Sequence, residues 1–212
     1  MQKRSHTLLA RTLMERTAGF DKKRFALAFL FGSFQPDCNP LSYLKGSRRG
    51  TPLMGHNFSN SRRYVCRRIR RLQKLDRWNI WQYYTLGKLT HYLADAFTFP
   101  HNETYTESLQ AHRRYEAQLR CLLADRLKHC PSLPLPGTQD LTTALVALHR
   151  QYLSASSYLQ RDIDYILSAT TLLVVSLLPQ PAYAGNRRTD LFAGFAQDNG
   201  ISFVKITNSF FR

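Results

Sequence analysis

Residues 86–116 read LGKLTHYLADAFTFPHNETYTESLQAHRRYE, and the rest of the chain is interpreted outward from them. His91 and Asp95 are four residues apart, and so are His112 and Glu116. Side chains at positions i and i+4 lie on one face of an α-helix, so each pair is suited to hold one metal ion. The stretch therefore predicts two consecutive helices, each carrying a pair of metal ligands.

A proline separates the two predicted helices. Pro100 disfavours the α conformation at Phe99, so the first helix ends there and His101 lies at its end, beside the first pair. Three histidines and two carboxylates suit Zn²⁺, which binds nitrogen and carboxylate oxygen. The stretch holds no cysteine, and Cys121 lies just beyond it, which argues against a structural site built from thiolates.

Each pair taken alone also has a simpler interpretation. Most His-x-x-x-Asp and His-x-x-x-Glu pairs on helices are contacts at the surface that stabilise the helix. The neighbours of His91 are, however, mostly apolar, and an unpaired Asp95 carboxylate in such surroundings would be costly. A metal ion is the natural partner there. His129 and His149 have no carboxylate four residues on and are predicted to be ordinary histidines.

Helical periodicity recurs along the chain without a hairpin signal, so we predict an all-α fold, a single-domain helical bundle over residues 1–212. The region that bears the motifs is 6–116, and helices within 138–178 complete the core. The predicted helices are Ser5–Thr17 with Ser5 as N-cap, Asp21–Phe31 ending at Gly32, Ser61–Leu75, one from Asp76 that bears His91, one that bears His112 and ends before Pro131, Thr138–Ser154, Tyr158–Leu178, and a short one at Asp190–Ala196. The most apolar run has 13 residues, too few for the ~20 of a membrane span.

The segment Gly32–Asn60 is rich in glycine and proline, and we predict an irregular loop packed over one end of the bundle. Its aromatic residues argue against disorder. Asp37 follows a proline and His56 follows a glycine, and either one alone is an ordinary turn or loop residue. Both are nonetheless placed where the loop could fold over a metal cluster.

The composition is strongly basic, with 30 Lys and Arg against 14 Asp and Glu and a formal net charge of +16. Such a charge favours polyanions, anionic membrane surfaces or phosphorylated substrates. Four cysteines without a CxxC pair indicate reduced thiols. Arg11 and Glu15 interrupt the apolar residues near the N-terminus, so we expect no signal peptide and a cytoplasmic protein that can associate peripherally with membranes.

The predicted helix Ser61–Leu75 carries six arginines and a lysine around a narrow apolar stripe. A basic amphipathic helix can lie on an anionic membrane or follow a nucleic-acid backbone. A solvated helix face is the common alternative. Peripheral contact with an anionic membrane through residues 61–75 is therefore one prediction, and nucleic-acid binding is its competitor.

The order of these residues resembles that of the zinc-dependent phospholipase C family. The resemblance covers about half of the chain and is carried by His6, GSFQPD with Asp37, GHNF with His56, HYLADAFTFPH with His91, Asp95 and His101, and HRRYE with His112 and Glu116. It implies an all-α fold that holds up to three zinc ions in a cleft.

The ligand sets are also implied by this resemblance: one zinc ion bound by Asp37, His56, His91 and Asp95, and a second bound by His101, His112 and Glu116. Asp95 would bridge to a third zinc ion shared with His6. In secreted members the amino group and carbonyl of a processed N-terminal residue complete that third site. This chain begins MQKRS without a recognisable processing signal, so two zinc ions are expected and the third site is expected to be incomplete.

Such a cluster predicts hydrolysis of a phosphodiester. Zinc ions neutralise the anionic substrate and lower the pKa of bound water toward ~7, which makes hydroxide available at neutral pH. Asp37 is the catalytic candidate, as a ligand or as the base that orients the attacking water. The leading function is phospholipase C-type cleavage of phospholipid to diacylglycerol and a phosphorylated head group. The alternatives are a zinc nuclease acting on single-stranded nucleic acid, which shares this helical fold, and a non-catalytic zinc-binding protein.

Overall fold

The structure is a computed structural model, and it describes residues 1–44, 46, 54–103, 105–129, 140–154 and 158–179. Within these residues the regular elements are helices, which confirms the predicted all-α fold. The α-helices are α1 Lys3–Arg16, α2 Lys23–Cys38, α3 Phe58–Leu72, α4 Ile80–Ala96, α5 Leu109–His129, α6 Leu141–Leu153 and α7 Leu159–Leu177. Two short 3-10 turns cover Pro40–Ser42 and Phe99–His101.

Helix α4 lies at the centre of the fold and packs against α1, α2, α3 and α7. Its apolar residues occur on all sides rather than along one stripe, which is the pattern of a buried helix. Leu86, Leu89, Leu93 and the adjoining Phe97 are all buried. The helix that bears the first predicted ligand pair is therefore the one around which the others pack.

Glycines occupy the crossing of α2 and α4, the most extensive helix contact in the fold. A Cβ atom at Gly32 would lie 2.2 Å from the carbonyl oxygen of Tyr84, and one at Gly87 would lie 2.1 Å from that of Phe29. The two backbones are therefore so close that only glycine fits between them. The prediction that α2 ends at Gly32 is wrong for this reason, since Gly32 serves the crossing and α2 continues to Cys38.

Other helix boundaries also differ from the predicted ones, and α3 covers Phe58–Leu72 rather than Ser61–Leu75. Helix α1 begins at Lys3, so Ser5 is a buried residue inside the helix and not its N-cap. Helix α4 begins at Ile80 rather than at Asp76. Its start is set by Asn79, whose side chain accepts a hydrogen bond from the backbone N–H two residues on.

The segment Gly32–Asn60 is more regular than predicted. It contains the end of α2, the 3-10 turn Pro40–Ser42 and the start of α3. Asp37 accordingly lies in the last turn of α2 and not in a loop. Residues 45 and 47–53 of this segment, the predicted connector 131–137 and the predicted helix Asp190–Ala196 lie outside the described residues.

Helices α6 and α7 lie close to their predicted ranges. In α7 the side chains of Ile163, Ile166, Leu173 and Val174 are completely buried, and this helix packs against α4, α5 and α6. Among the described helices, none combines the length and apolarity that a membrane crossing requires. The assignment of residues 1–212 to one domain stays a prediction.

The described cysteines are Cys38, Cys66 and Cys121, and all three are free thiols. This agrees with the prediction of reduced cysteines, while Cys130 lies outside the described residues. Burial is the main reason that the pKa of the Cys66 thiol is raised. A raised pKa makes that thiol less reactive at neutral pH.

Candidate metal centre

The Asp95 carboxylate is the centre of the site. It lies in the last turn of α4, and its side chain is fully buried. Its Oδ1 atom is 2.6 Å from the Met1 amino nitrogen and 3.2 Å from His6 Nε2. Its Oδ2 atom is 3.1 Å from His56 Nδ1 and 3.2 Å from His91 Nε2. Groups from α1, from the turn before α3 and from α4 thus converge on one carboxylate.

Four side chains form the first candidate metal group, with one ligand atom of each within 4.8 Å of the others: His6, Asp37, His91 and Asp95. They come from α1, α2 and α4. His91 Nε2 is 3.5 Å from Asp37 Oδ1, and the rings of His6 and His91 stack with their centroids 3.9 Å apart. Because Asp37 and His91 lie on opposite sides of the glycine crossing, that crossing sets the distance between them.

The second candidate group shares Asp95 with the first and adds His56 and His101. His56 lies in the turn that precedes α3, and His101 closes the 3-10 turn after α4. His56 Nδ1 is 3.2 Å from His91 Nε2, so the two groups adjoin. The shared carboxylate is positioned between them, as a bridging ligand would be.

The α5 pair, His112 and Glu116, borders the same cluster. His112 Nε2 is 3.3 Å from Glu116 Oε1, and Glu116 Oε1 is 3.4 Å from the Met1 amino nitrogen. The ring centroids of His112 and His101 are 5.4 Å apart. The structure thus brings all eight predicted ligands to one place, while their allocation to individual ions stays a prediction.

Two of the ligand histidines are anchored through the ring nitrogen that faces away from Asp95. His91 Nδ1 is 2.9 Å from the carbonyl oxygen of Ser33, which can only accept a hydrogen bond. His56 Nε2 is 2.9 Å from Ser42 Oγ, and Ser42 donates its own hydrogen to the carbonyl oxygen of Pro36. In both cases the imidazole must be the donor.

His101 is anchored in the same way. Its Nδ1 atom is 2.7 Å from Thr98 Oγ1, which donates its hydrogen to the carbonyl oxygen of Asp95. When one nitrogen of a neutral imidazole carries the proton, the other has a free lone pair. Metal-binding histidines are commonly oriented by such a second hydrogen bond. Each of the three anchored rings is therefore in the tautomer that leaves its other nitrogen free for a metal ion.

When both rings are neutral, these tautomers leave three acceptors facing one another. His56 Nδ1, His91 Nε2 and Asp95 Oδ2 are separated by 3.1 to 3.2 Å. Buried acceptors at this separation repel each other and lack the hydrogen bonds that buried polar atoms normally make. A cation among them removes both problems. Two nitrogens and a carboxylate oxygen form a donor set that fits zinc.

Two more buried atoms of the first group lack a hydrogen-bond partner in the described part of the chain. They are Asp37 Oδ2 and His6 Nε2. His6 Nε2 is only 3.2 Å from Asp95 Oδ1, yet the atoms are not aligned for a hydrogen bond. Leaving a buried polar atom unpaired costs about 1–3 kcal/mol, so these atoms also fit a site that holds a cation.

Burial and the neighbouring charges set the protonation states. Burial, followed by the charge of His91, lowers the pKa of His6 to about 3. Burial, followed by the Met1 ammonium, holds the pKa of His101 well below its ordinary value. Burial alone would raise the pKa of Asp95, but the Met1 ammonium and the surrounding histidines hold it well below the ordinary value. Neutral imidazoles at His6 and His101 and an ionised carboxylate at Asp95 are the forms that bind metal.

A protein-family model described as zinc dependent phospholipase C matches residues 5–166. The matched range is most of the chain and contains all eight predicted ligands. The chain belongs to the zinc-dependent phospholipase C family. The match extends past the residues that carried the resemblance, through α6 and into α7, so the C-terminal helices are part of the family's domain. Comparisons with curated proteins and with solved structures found no match.

Zinc dependence follows from membership of the zinc-dependent phospholipase C family. Membership does not determine how many zinc ions are bound. The sequence left the third zinc site incomplete. In the structure the Met1 amino group lies between Asp95 and Glu116, beside the position where the resemblance puts that site. The sequence reasoning missed this group because nothing in the pattern MQKRS indicates where the start of the chain packs.

The residues that anchor the histidines of this metal centre were also missed. Ser33 and Ser42 lie 58 and 14 residues from the histidines they orient, too far for any local pattern. Thr98 is the exception, because it lies three residues before His101. Of these three anchoring residues, only Thr98 could have been predicted from the sequence, because its hydroxyl lies one turn before a ligand histidine.

A buried hydrogen-bond group holds the turn that carries His101. Asp162 of α7 accepts a hydrogen bond from the Tyr115 hydroxyl of α5. The backbone N–H of Phe99 lies 3.2 Å from Tyr115 Oη and 3.3 Å from Asp162 Oδ2. Burial, followed by the charge of Asp162, raises the pKa of Tyr115 and keeps it protonated. Helices α5 and α7 thus fix the turn after α4.

His149 lies outside both candidate groups, in agreement with its prediction as an ordinary histidine. Its Nε2 atom is 3.1 Å from the carbonyl oxygen of Ala96 and 3.1 Å from Asn102 Oδ1, and its ring stacks on Phe58. Burial lowers its pKa to about 4. It is a neutral core histidine with its hydrogen bonds satisfied, and the side chain of His129 lies outside the described part of the chain.

Proposed function

We propose that this protein is a zinc-dependent phosphodiester hydrolase that cleaves phospholipid as a phospholipase C, giving diacylglycerol and a phosphorylated head group. Membership of the family supports zinc dependence and this class of enzyme. The observation that carries the proposal is the convergence of three potential ligand atoms, His56 Nδ1, His91 Nε2 and Asp95 Oδ2. A bound cation would stabilise such a set, and two nitrogens with a carboxylate oxygen are ligands that zinc prefers.

The residues that would hold the zinc ions are His6, Asp37, His56, His91, Asp95, His101, His112 and Glu116. Bound zinc supplies positive charge to the phosphate oxygens and lowers the pKa of a water molecule. Asp37 lies nearer the open side of the site than Asp95 does, since its side chain is 19% exposed while that of Asp95 is completely buried. Asp37 is therefore the carboxylate that can reach both a ligand position and the attacking water.

The electrostatics of Asp37 suit a proton acceptor. Burial raises its pKa above the ordinary value, and a more basic carboxylate accepts a proton more readily. Its Oδ2 atom has no hydrogen-bond partner among the described residues. We assign to the Asp37 carboxylate the proton of the attacking water, and its Oδ1 atom, 3.5 Å from His91 Nε2, borders the metal group.

Partly exposed residues mark the entrance through which the phosphodiester would reach the cluster. The side chain of His112 is 26% exposed and that of Glu116 is 18% exposed. On the other side, the half-exposed ring of Tyr43 stacks on His56 with the centroids 4.6 Å apart. The α5 pair and this ring therefore form the rim of the site, and Asp95 lies at its floor.

The test combines a zinc count with a product assay. Purified protein would be offered phosphatidylcholine, phosphatidylethanolamine, phosphatidylserine and phosphatidylinositol, with single-stranded DNA alongside. We expect bound zinc, and equal amounts of diacylglycerol and phosphorylated head group from at least one lipid. His91→Ala should lose zinc and activity, and His149→Ala is the matched control that should keep both. Full zinc content without head-group release from any lipid, or phosphatidic acid as the product, would refute the proposal.

A second candidate function, a zinc nuclease acting on single-stranded nucleic acid, is favoured by the basic face of α3. An open concavity of about 630 Å³ is lined by seven residues of this helix and by Lys74 just beyond it, and six of the eight are basic: Ser59, Arg62, Arg63, Cys66, Arg67, Arg70, Arg71 and Lys74. Such a row of cations suits a phosphate backbone. It equally suits an anionic membrane, the contact predicted from the sequence for residues 61–75. Arg68 is not part of this face, because its guanidinium lies over the ring of Tyr64.

Replacing Arg67, Arg70 and Arg71 with glutamine separates the two uses of the basic face. A nuclease would lose part of the salt dependence of its activity on single-stranded DNA, because fewer counterions are released on binding. A membrane contact would show as weaker turnover on anionic vesicles with unchanged turnover of a soluble short-chain phospholipid. Each cation contributes about 1 kcal/mol near an anionic surface. If neither assay changes, the face is simply solvated.

A further inference from the structure

Exposed apolar side chains of α2 and α4 form a surface that the metal centre does not use. On α2, Leu27 is 65% exposed and Phe31 is 52% exposed. At the start of α4, Ile80 is 44% exposed and Trp81 is 68% exposed. Together with two partly buried rings they make up what we call the aromatic patch: Leu27, Phe31, Phe34, Ile80, Trp81 and Tyr84.

The aromatic patch is continuous across the two helices. The ring of Phe31 contacts those of Phe34 and Tyr84, with centroids 5.6 and 5.8 Å apart. Tyr84 in turn contacts the ring of Trp81 at 6.3 Å. Leu27 lies one helical turn before Phe31 and extends the same face of α2. Large exposed residues that adjoin in this way mark an interaction surface, unlike apolar residues scattered singly.

Cations surround the aromatic patch. Lys3 Nζ lies 4.6 Å from the ring centroid of Phe34, and Lys88 Nζ lies 5.3 Å from that of Tyr84. Burial, followed by the charge of Arg68, lowers the pKa of Lys88, so the positive charge extends toward α3. The only acidic residues of α2 and α4 are the two aspartates of the metal centre. No carboxylate on the outer faces of these helices balances the cations.

This combination of charge and chemistry decides what covers the patch. In a symmetric dimer the cations of two copies would face each other with no carboxylate from the outer faces of α2 and α4 between them, and each copy carries a formal net charge of +16. Tryptophan, tyrosine and lysine together are typical of membrane–water interfaces, where the rings lie at head-group level and the cations meet anionic lipid. We propose that the aromatic patch docks the protein on an anionic phospholipid bilayer. The inference rests on the proposed function, because an enzyme that cleaves phospholipid must reach lipid packed in a membrane.

The position of the patch agrees with delivery of lipid to the metal centre. Phe34 lies one helical turn before Asp37 on α2. Beyond the end of α2, Leu41 is 70% exposed and Leu44 is 53% exposed. These two residues flank Tyr43, the ring at the rim of the site. A bilayer against the patch would thus lie beside the entrance of the cleft.

The experiment uses Trp81 as its own reporter. The chain has two tryptophans, and Trp78→Phe leaves Trp81 as the single emitter. Vesicles of phosphatidylcholine with and without phosphatidylglycerol would be added, and binding measured by cosedimentation. We expect binding to the anionic vesicles and a blue shift of Trp81 emission. Phe31→Ser and Trp81→Ser, each made in the full chain, should weaken binding roughly tenfold or more, as expected for an aromatic side chain that leaves an apolar environment.

The matched control is Leu153→Ser, which removes a side chain of similar exposure, 49%, at the end of α6. It should bind vesicles like the wild type. Absence of binding by the wild type, or equal binding by the Phe31→Ser, Trp81→Ser and control variants, would overturn the proposal. A wild type that is dimeric in sedimentation velocity and becomes monomeric on Phe31→Ser would also overturn it, because the patch would then be an interface between copies.

A separate arm distinguishes docking from catalysis. His91→Ala should bind vesicles like the wild type while releasing no head group. Phe31→Ser should retain turnover of a soluble short-chain phospholipid and lose turnover of anionic vesicles. Binding by a wild type that hydrolyses no lipid would refute the proposed function and leave the docking surface in place. Hydrolysis without patch-dependent binding would refute the docking surface and leave the proposed function in place.

Discussion

Gly87→Ala is the substitution that tests most directly how the fold builds the metal centre. By helix propensity alone it should stabilise the protein, since alanine is better than glycine inside a helix by about 1 kcal/mol. In the structure the new Cβ atom would lie 2.1 Å from the carbonyl oxygen of Phe29, well inside the 3.4 Å at which ordinary contact begins. The obstacle is the backbone of α2, which has no rotamer with which to move aside.

The expected magnitude follows from these two opposing effects. The helices must separate by roughly an ångström, and overpacking of this kind costs about 1–3 kcal/mol and occasionally more. A clash with backbone belongs at the upper end of that range. After the gain in propensity, we expect a net loss of about 2 kcal/mol in the free energy of unfolding.

The same displacement should weaken zinc binding. The crossing separates Asp37 and Ser33 on α2 from His91 on α4, and the contacts across it are 3.5 and 2.9 Å. Loss of an orienting hydrogen bond to a metal ligand typically costs about 10–100-fold in metal affinity. We therefore expect Gly87→Ala to bind zinc at least about tenfold more weakly.

Urea unfolding of the zinc-free protein and a competition titration with a zinc chelator measure the two effects. Leu27→Ala, on the exposed face of α2, is the control and should stay within about 0.5 kcal/mol of the wild type. A Gly87→Ala protein as stable as the wild type, or more stable, would refute the reasoning, because the propensity gain would then outweigh the clash. Lower stability with unchanged zinc affinity would separate the crossing from the metal centre.

Three further predictions concern the site and its supports. His91→Ala should lower the zinc content measured by atomic emission and His149→Ala should not; equal zinc in wild type and His91→Ala would contradict the ligand assignment. Asp162→Ala should cost about 3 kcal/mol in urea unfolding, because the Tyr115 hydroxyl and the Phe99 N–H lose a buried acceptor; a loss below about 1 kcal/mol would show that water replaces it. His149 is neutral in the fold because burial lowers its pKa to about 4. Its contribution to the free energy of unfolding is therefore fully present above pH ~6.5 and is lost as the pH falls toward 4, by about 3 kcal/mol in all. His149→Gln should flatten this part of the pH profile of the zinc-free protein, and an unchanged profile would show that the pH dependence does not come from His149.

Local spacing by itself determines much of this protein. The His91/Asp95 and His112/Glu116 pairs depend only on the 3.6-residue repeat of a helix, which is a property of neighbouring residues. For the same reason the ranges of α6 and α7 follow from the periodicity of their apolar residues. Pro100 indicates a break in the helix before His101, but α4 ends earlier, at Ala96, and Phe99 begins a 3-10 turn.

The tertiary structure decided what no neighbouring residue could. Glycine disfavours helix, so Gly32 resembles a helix end. In the fold it is needed where α4 crosses α2, and α2 therefore continues past it and carries Asp37 in its last turn. The histidine tautomers depend on Ser33 and Ser42, which are distant in sequence from the rings they orient. The aromatic patch exists because packing against α4 leaves one apolar face of α2 uncovered. Each of these features depends on contacts between separate helices, and local sequence carries no information about which backbone will lie opposite a given side chain.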